Sequence, residues 1–195
     1  MLLNDEEADR LINIHWKNGK MTTDLLAQDI DVIIDKVGLG KRANENTKFL
    51  ILPTNKAGPS EVVCGEKMSR FLTLYKVKKF SEAIDLAIKI QEYQGAGHSL
   101  GIHTKNEDRA HEIAMSAKTC RVIVNQAHCF ATGGFFNNGL PFSLSMGCGS
   151  WGGNSIDGNL SWEHFVNKVR VVQTIAENKP DLEKIFGDYW GETSQ

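Results

Sequence analysis

The chain has 195 residues, of which 41% are hydrophobic and 24% are charged, and its formal net charge is −2. This composition is that of a globular domain long enough to bury a core. The scattered basic residues exclude a polybasic face for nucleic acid, and no apolar run approaches the length of a membrane span. The cysteines form no Cys-x-x-Cys pair, which argues against a structural zinc site, and we expect a reducing, cytoplasmic location.

Two helices and two strands are predicted near the N-terminus. The first helix begins after Asn4, whose side chain is a good N-cap, and carries acidic residues in its first turn. The second helix is predicted from Thr23 to Val37 and ends at Gly38, a residue type that often closes a helix. The apolar runs KFLILP, closed by Pro53, and FLTLYKV, residues 71–77, each predict a strand.

The middle of the chain has the clearest pattern. FSEAIDLAIKIQEY, residues 80–93, has a wide apolar face that predicts a helix. SLGIH at 99–103, NEDRAHEIAMSAK at 106–118 and CRVIVN at 120–125 then predict a strand, a helix and a strand. The order β-α-β-α-β with short links favours parallel strands joined by right-handed crossovers. We therefore predict an α/β fold, with a parallel-rich sheet flanked by helices.

The composition changes after Asn125. Residues 126–160 are rich in Gly, Asn and Ser, and a loop this long inside a compact domain usually serves a function. Its aromatic side chains argue against disorder. Beyond it, HFVNKVRVV over His164–Val172 predicts a strand, and residues 180–186 predict a short helix.

The segment GCGSWGG, residues 147–153, matches the dinucleotide-binding pattern G-x-G-x-x-G. That fingerprint follows a strand and opens a helix. Here PFSLSM precedes the match, and NSIDGNLSW after it has no helical apolar stripe. We interpret the match as coincidental, which leaves a glycine-rich surface turn or a loop that presses closely on a ligand.

Two other polar segments are candidates for chemistry. GAGHS, residues 95–99, joins a helix to a strand, and histidine titrates near neutrality, so His98 is suited to proton transfer. Capping of the preceding helix is the structural alternative for His98, and spacing alone favours it. GEKMSR, residues 65–70, is typical of a solvated loop when taken by itself.

Several segments in one order carry a family resemblance: ENTKFLILP, EVVCGEKMSRFLTLYKV, FSEAIDLAIKIQEYQGAGHSLGIHT, KTCRVIVNQ and LPFSLSMGCGSWGGNS. Together they closely resemble the carboxy-terminal half of the aldehyde dehydrogenase superfamily, in its coenzyme A-acylating branch. The resemblance implies the catalytic-domain fold of that family. It also implies oxidation of a small aldehyde through a cysteine thioester, with hydride passing to NAD or NADP and the acyl group to coenzyme A or water.

The resemblance implies roles for particular residues. Glu66 matches the acid that holds the ribose of the nicotinamide nucleotide, although the family motif E-x-F-G-P reads E-K-M-S-R here, with Arg70 in place of the proline. His98 matches the acid/base histidine of the motif G-x-G-H-[ST]. The aldehyde pocket is expected to be bordered by Asn125, Phe142, Gly147, Cys148 and Gly149.

The resemblance also sets an expectation for the extent of the chain. The family's nucleophilic cysteine and its nucleotide-binding domain stand upstream of the segments found here. The chain is therefore expected to be a fragment that is inactive by itself, with residues 1–160 as a catalytic-domain portion and 161–195 as an oligomerisation strand and tail. Cys129 and Cys148 lie in pocket-side loops, but neither stands at the place of the nucleophile.

A partner is implied as well. The strand predicted over His164–Val172 resembles the segment that pairs with a second subunit, so a homodimer or higher homo-oligomer is expected. A non-catalytic dimerising module built on the same fold is the alternative function. The aldehyde itself and the choice between NAD and NADP stay open at this stage.

Overall fold

The structure, a computed structural model, describes residues 1–192 and divides into two compact units, Met1–Ser161 and a second unit that begins at Trp162. The helices are α1 (Asp5–His15), α2 (Ile30–Val37), α3 (Phe80–Tyr93), α4 (Asp108–Ser116), α5 (His128–Ala131) and α6 (Leu182–Glu192). The strands are β1 (Trp16–Lys17), β2 (Lys20–Met21), β3 (Leu50–Pro53), β4 (Phe71–Leu74), β5 (Leu100–Ile102) and β6 (Val122–Val124).

Helix α1 begins where the sequence predicts. The Asn4 side chain accepts a hydrogen bond from the Glu7 main-chain N–H at 2.9 Å, and the Glu7 carboxylate accepts one from the Asn4 N–H at 3.0 Å. This reciprocal pair is a capping box, which satisfies two main-chain donors that the helix leaves without partners. The carboxylate of Glu7 also forms an ion pair with Arg42.

Helix α2 is shorter than predicted, because it begins at Ile30 and not at Thr23. The Thr22 hydroxyl donates to the Ile14 carbonyl at 2.7 Å and accepts from the Asp24 N–H at 3.3 Å. Such side-chain bonds hold the local backbone in a turn and compete with helix formation. The predicted end is confirmed, since Gly38 closes α2 with φ of 72°.

The first core lies between these helices and a parallel strand pair. Strands β3 and β4 pair with Leu50 opposite Phe71, and the buried side chains of both strands pack with those of α1 and α2. His15 is fully buried there, edge-on to Trp16 and Phe71 with ring centroids 4.5 and 5.0 Å away. Burial lowers the pKa of His15, because the charged imidazolium would lose its hydration.

A second parallel pair follows in the chain. Strands β5 and β6 pair with Leu100 opposite Val122, and helix α4 connects them. The predicted α/β fold with parallel strands is thereby confirmed. The strands do not form one continuous sheet in the described residues, because β4 and β5 belong to separate two-stranded sheets.

The second unit differs from its prediction. Residues Trp162–Phe165 form a 3₁₀ helix, and 166–181 have no regular structure, so the strand predicted over His164–Val172 is not formed. An extended segment becomes a strand only where another strand supplies hydrogen bonds. Val169, Val171 and Val172 are each more than four-fifths exposed. Helix α6 extends to Glu192, beyond the predicted 180–186, and the end of the predicted tail lies outside the described residues.

The described residues lack two kinds of feature. None of the helices there is long and apolar enough to cross a membrane. No cluster of His, Cys, Asp and Glu within residues 1–192 has the grouping needed to hold a metal ion.

Candidate active site

A cleft of about 510 Å³ brings Glu66 and His98 together. One wall is the loop that follows the 3₁₀ helix Val62–Cys64, and another is the C-terminal end of α3. The turn before β5 and the start of α5 complete it. The cleft is lined by Cys64, Gly65, Glu66, Ala87, Ile90, Gln91, Gln94, Gly95, His98, Ser99, Leu100 and His128.

The Glu66 wall is anchored to α3 through its main chain. The Glu66 N–H donates to the Gln94 side-chain oxygen at 2.7 Å. A Cβ on Gly65 would lie 2.5 Å from that same oxygen, so glycine at this position lets Gln94 reach the loop. The Glu66 carboxylate is exposed and forms no ion pair with the described residues. It is therefore available to a ligand in the cleft.

The His98 wall is a tight turn. Gly95 and Gly97 have φ of 99° and 83°, values that L side chains rarely adopt. The turn is tied to the next strand, because Gly97 donates to the Lys118 carbonyl at 2.7 Å and accepts from the Cys120 N–H at 3.0 Å. Helix α3 ends at Tyr93 and is capped by Gln94, whose N–H donates to the Ile90 carbonyl. His98 is therefore not the helix cap that spacing alone favours.

A second histidine faces the same cleft. His98 Nδ1 lies 2.6 Å from the Ser99 hydroxyl oxygen, and His128 Nε2 lies 2.8 Å from that oxygen on its other side. Burial is the larger cause that lowers the pKa of His128, and the nearby His98 is the smaller one. The three side chains form a continuous hydrogen-bonded row that starts at the cleft.

A buried arginine holds the main chain behind His98. The Arg121 side chain is 6% exposed, and it donates to carbonyl oxygens of His98 at 3.0 Å, Gly147 at 3.0 Å and Asp157 at 3.4 Å. Its Nε donates to the Asn159 side-chain oxygen at 2.9 Å. Several donors arranged on a rigid plane suit this task, since they fix several acceptors at once.

Asn159 extends this network to the aromatic loop. It is 3% exposed, and its side-chain NH₂ donates to the carbonyls of Thr132 and Pro141, both at 2.9 Å. The side chains of Arg121 and Asn159 are buried with their hydrogen bonds made, which is the condition for a stable polar interior. The network therefore ties the His98 turn to both ends of the long loop.

The glycine-rich segment packs behind the His98 turn. A Cβ on Gly97 would overlap the main chain of Cys148, so the two segments touch through their backbones. Gly149 has φ of 59° and ψ of −164°, a region that is essentially limited to glycine. The structure also argues that the match to a dinucleotide fingerprint is coincidental. None of the described strands lies directly before Gly147, and the element that follows is a 3₁₀ turn, Ser150–Gly152, and not an α-helix.

Known proteins resemble the chain along most of its length. The sulfoacetaldehyde dehydrogenase (acylating) of Cupriavidus necator is 40% identical over 190 residues, which are 97% of this chain and 38% of that protein. The succinate-semialdehyde dehydrogenase (acetylating) of Clostridium kluyveri is 35% identical over 184 residues, covering 94% and 40%. The crystal structure of an acetylating aldehyde dehydrogenase from Geobacillus thermoglucosidasius superposes with a TM-score of 0.81 at 28% identity, covering 93% of this chain and 39% of that one.

The chain is homologous to a part of the acylating aldehyde dehydrogenases. The resemblance drawn from the sequence motifs is thereby confirmed, and the chain spans about two-fifths of the length of the curated relatives that it matches. No protein-family profile matches the chain.

The remaining residues expected at the aldehyde dehydrogenase pocket lie outside the cleft of Glu66 and His98. Asn125 has φ of 53°, and its side chain bonds to the N–H and the carbonyl of Thr104, both at 2.8 Å. It borders a separate cavity of about 310 Å³ with Phe130 and Phe135. Phe142 is 62% exposed and lies edge-on to Phe136, with ring centroids 5.1 Å apart.

The cysteines of the chain differ in their surroundings. Cys64 borders the cleft but is buried, and its thiol donates to the Glu61 carbonyl at 3.0 Å. Burial raises the pKa of the Cys120 thiol, which disfavours the reactive thiolate. Cys129 is exposed, and the Cys148 N–H is held by the Asn154 side chain at 2.8 Å.

Sequence reasoning missed three residues of this site: Ser99 as a bridge, His128 and Arg121. The available signal for Arg121 was its position in CRVIVN, where one charged residue begins an apolar strand. A charge in such a place is either exposed or satisfied by buried partners. For His128 no local signal exists, because its partner Ser99 lies far away in the sequence.

Proposed function

We propose that this chain is the part of an NAD(P)-dependent, coenzyme A-acylating aldehyde dehydrogenase that carries the ribose-binding acid and the acid/base histidine. The observation that carries the proposal is the shared cleft: Glu66 and His98 are distant in sequence, yet both line it. This conclusion agrees with the relatives, whose names describe acylating and acetylating dehydrogenases.

The cleft suits a nicotinamide nucleotide at one end. An exposed carboxylate without an ion pair accepts hydrogen bonds from vicinal hydroxyl groups, which is the chemistry of a ribose. The glycine at position 65 brings main chain close to the cleft, and the Glu66 backbone is fixed by Gln94 at 2.7 Å. The nicotinamide, when bound, accepts a hydride, and coenzyme A accepts the acyl group.

His98 is proposed to exchange protons with the reacting groups. Among the described residues Nδ1 is the ring nitrogen that forms a hydrogen bond, which leaves Nε2 available to the cleft. A thiol becomes an effective nucleophile only as a thiolate, so a base that removes its proton speeds acyl transfer. Arg121 keeps the His98 carbonyl in place at 3.0 Å and thus the base with it.

The chain by itself is proposed to be inactive. The nucleophile of the family is expected upstream of these segments, and the cysteines present here are buried, engaged or outside the cleft. An assay of the purified chain with NAD or NADP, coenzyme A and sulfoacetaldehyde, succinate semialdehyde or acetaldehyde should yield no reduced nucleotide. Turnover that disappears in Cys148→Ala would show that this part of the proposal is wrong.

A chimaera tests the function directly. The chain would replace the matching segment of the Cupriavidus necator enzyme, to which it is 40% identical. We expect acylating dehydrogenase activity in the chimaera and its loss by about 10²–10⁴-fold in His98→Gln, the range for removal of a general acid/base. His111→Gln is the control, because His111 is exposed on α4. A folded chimaera whose activity is the same with and without His98 would overturn the proposal.

A dimerising module is the second candidate function. The observation that favours it is the exposed segment with Val169 at 91% and Val171 at 86% exposure, in which the sequence Val169-Arg170-Val171 alternates apolar and polar residues. The chain would then form homodimers by strand addition. Light scattering after size exclusion tests this, and a strict monomer at high concentration would contradict it.

A further inference from the structure

We propose that Ser99 and His128 complete a proton relay, through which His98 passes on a proton that it receives from the cleft. The relay is carried by two contacts to one hydroxyl oxygen, 2.6 Å from His98 Nδ1 and 2.8 Å from His128 Nε2. Its use rests on the proposed acid/base role of His98, but its existence does not. Ser99 and His128 act through His98 and are positioning residues.

The fold makes room for the second histidine. A Cβ on Gly101 would lie 2.7 Å from His128 Nδ1, so any other residue at this position of β5 would displace the ring. The main chain of His128, the first residue of α5, is also held, because the hydroxyl of Thr132 at the end of this helix donates to the His128 carbonyl at 3.1 Å. Gly101 thus leaves space for the imidazole, and the Thr132 bond holds the main chain that carries it.

The main chain at the start of the relay is equally fixed. Arg121 donates to the His98 carbonyl at 3.0 Å, and the Leu100 N–H donates to the Arg121 carbonyl at 2.9 Å. Ser99 stands between these two anchored residues. Ser99 is half-buried: its contact with His128 is partly buried, and its contact with His98 is exposed to the solvent of the cleft.

The proton count decides the direction of the relay. A serine hydroxyl has one hydrogen to donate and lone pairs to accept with. If His98 is to accept a proton at Nε2, its Nδ1 must carry hydrogen and donate to Ser99. The Ser99 hydroxyl then donates its hydrogen to His128 Nε2, which must be unprotonated and carry a lone pair. When a proton arrives at His98 Nε2, the Nδ1 proton moves to Ser99 and the serine proton moves to His128, so charge and atoms balance.

The surroundings favour this arrangement. Burial lowers the pKa of His128, which keeps its ring neutral at rest and makes it return an arriving proton readily to Ser99 and His98. The titratable groups that line the cleft opposite the relay are Glu66 and Cys64, and Arg121 lies behind it. The relay thus has a carboxylate on the cleft side and a fixed cation on the other.

Nitrogen-15 spectra of the histidine rings test the relay in the full chain without substrate or cofactor. At about pH 8.5, two units above the ordinary histidine pKa of roughly 6.5, the rings are neutral and their tautomers can be assigned. We expect His98 in the Nδ1–H form. Ser99→Thr should retain that form, because it keeps the hydroxyl. Ser99→Ala and His128→Gln should both shift His98 toward the tautomer ratio of His111, an exposed internal reference.

A wild-type His98 with the same tautomer ratio as His111 would overturn the relay. The relay would also be overturned if neither Ser99→Ala nor His128→Gln changed the tautomer ratio of His98, provided that thermal unfolding shows both variants to be folded. The measurement is independent of turnover. An inactive chimaera together with an Nδ1–H His98 would reject the proposed function and keep the relay. An active chimaera together with a His98 that lacks the Nδ1–H form would keep the proposed function and reject the relay.

Discussion

Two regions of the first unit are stabilised in different ways. In the N-terminal region, residues 1–74, the fully buried side chains are mostly apolar, with Leu11, Leu50 and Phe71 at 0–1% exposure. In the C-terminal region, residues 97–160, the interior contains Arg121 and Asn159, which bond to main-chain carbonyls from several segments. Apolar burial is strong but has no direction, whereas hydrogen bonds fix the positions of the groups they join.

This difference explains where the cleft lies. A site that moves protons needs its groups in place to a fraction of an ångström. The C-terminal region supplies that order to His98 through Arg121, and the N-terminal region supplies a stable support for the Glu66 loop. The candidate site is thus built where the apolar region meets the polar one.

Phe71→Ala should have the largest effect on stability. Its ring is 1% exposed and packs against His15, so its loss leaves a cavity, and the free energy of unfolding should fall by about 3–5 kcal/mol. Leu72→Ala is the matched control on the same strand, since Leu72 is 53% exposed. Urea unfolding measures both, and equal losses would show that the N-terminal core does not depend on apolar burial.

Arg121→Met should have the second-largest effect on stability. It removes the donors from carbonyls of His98, Gly147 and Asp157, and each buried group left without a partner costs roughly 1–3 kcal/mol. Amide hydrogen exchange should increase in residues 97–160 and stay unchanged in α1. Arg70→Met is the control, because Arg70 forms only an exposed ion pair with Asp29. An equal increase in amide hydrogen exchange in both regions would contradict this difference between them.

Gly149→Ala should destabilise the glycine-rich segment by about 1–3 kcal/mol, since φ of 59° with ψ of −164° is strained for any side chain. Gly158→Ala is the control, because a Cβ there meets no atom within 4 Å and φ is not in the left-handed range. Thermal unfolding of both variants gives the comparison. Equal melting temperatures would mean that the segment relaxes without cost.

His15 gives the smallest expected effect, a dependence of stability on pH. Burial lowers its folded-state pKa, so the unfolded chain binds a proton more readily. The contribution of the neutral imidazole is present above the unfolded pKa of about 6.5 and is lost as the pH falls below that value toward the folded pKa. Urea unfolding across this range should show a smaller pH dependence in His15→Gln than in the wild type. The exposed-residue variant His111→Gln should keep the wild-type dependence, and a His15→Gln curve parallel to the wild type would refute the prediction.

Local signals in the sequence predicted local structure well. Asn4 with Glu7 marks the start of α1, Gly38 marks the end of α2, and short apolar runs give β3 and β4. The family resemblance selected Glu66 and His98, and the fold places them in one cleft. These features depend on neighbours in the chain or on motifs, so the sequence contains them directly.

Features that depend on distant partners were not predictable. Arg121 bonds to residues 23 to 38 positions away, and Ser99 meets His128 across 29 positions. The start of α2 depends on the Thr22 hydroxyl and its contact with Ile14, across two elements. The strand expected over His164–Val172 would need a neighbouring strand, and β6 is the last strand in the described residues. Each miss concerns structure that depends on contacts beyond the local segment.

The Arg121 network has a consequence for how this chain tolerates change. Apart from Asn159, its acceptors are main-chain oxygens, at positions 98, 147 and 157. A backbone carbonyl is the same in every residue, so the network does not depend on which side chains stand at those positions. Side chains at 98 and 157 are therefore free to diversify while the scaffold beneath them stays unchanged, and new reactivity is accessible there without a redesign of the fold.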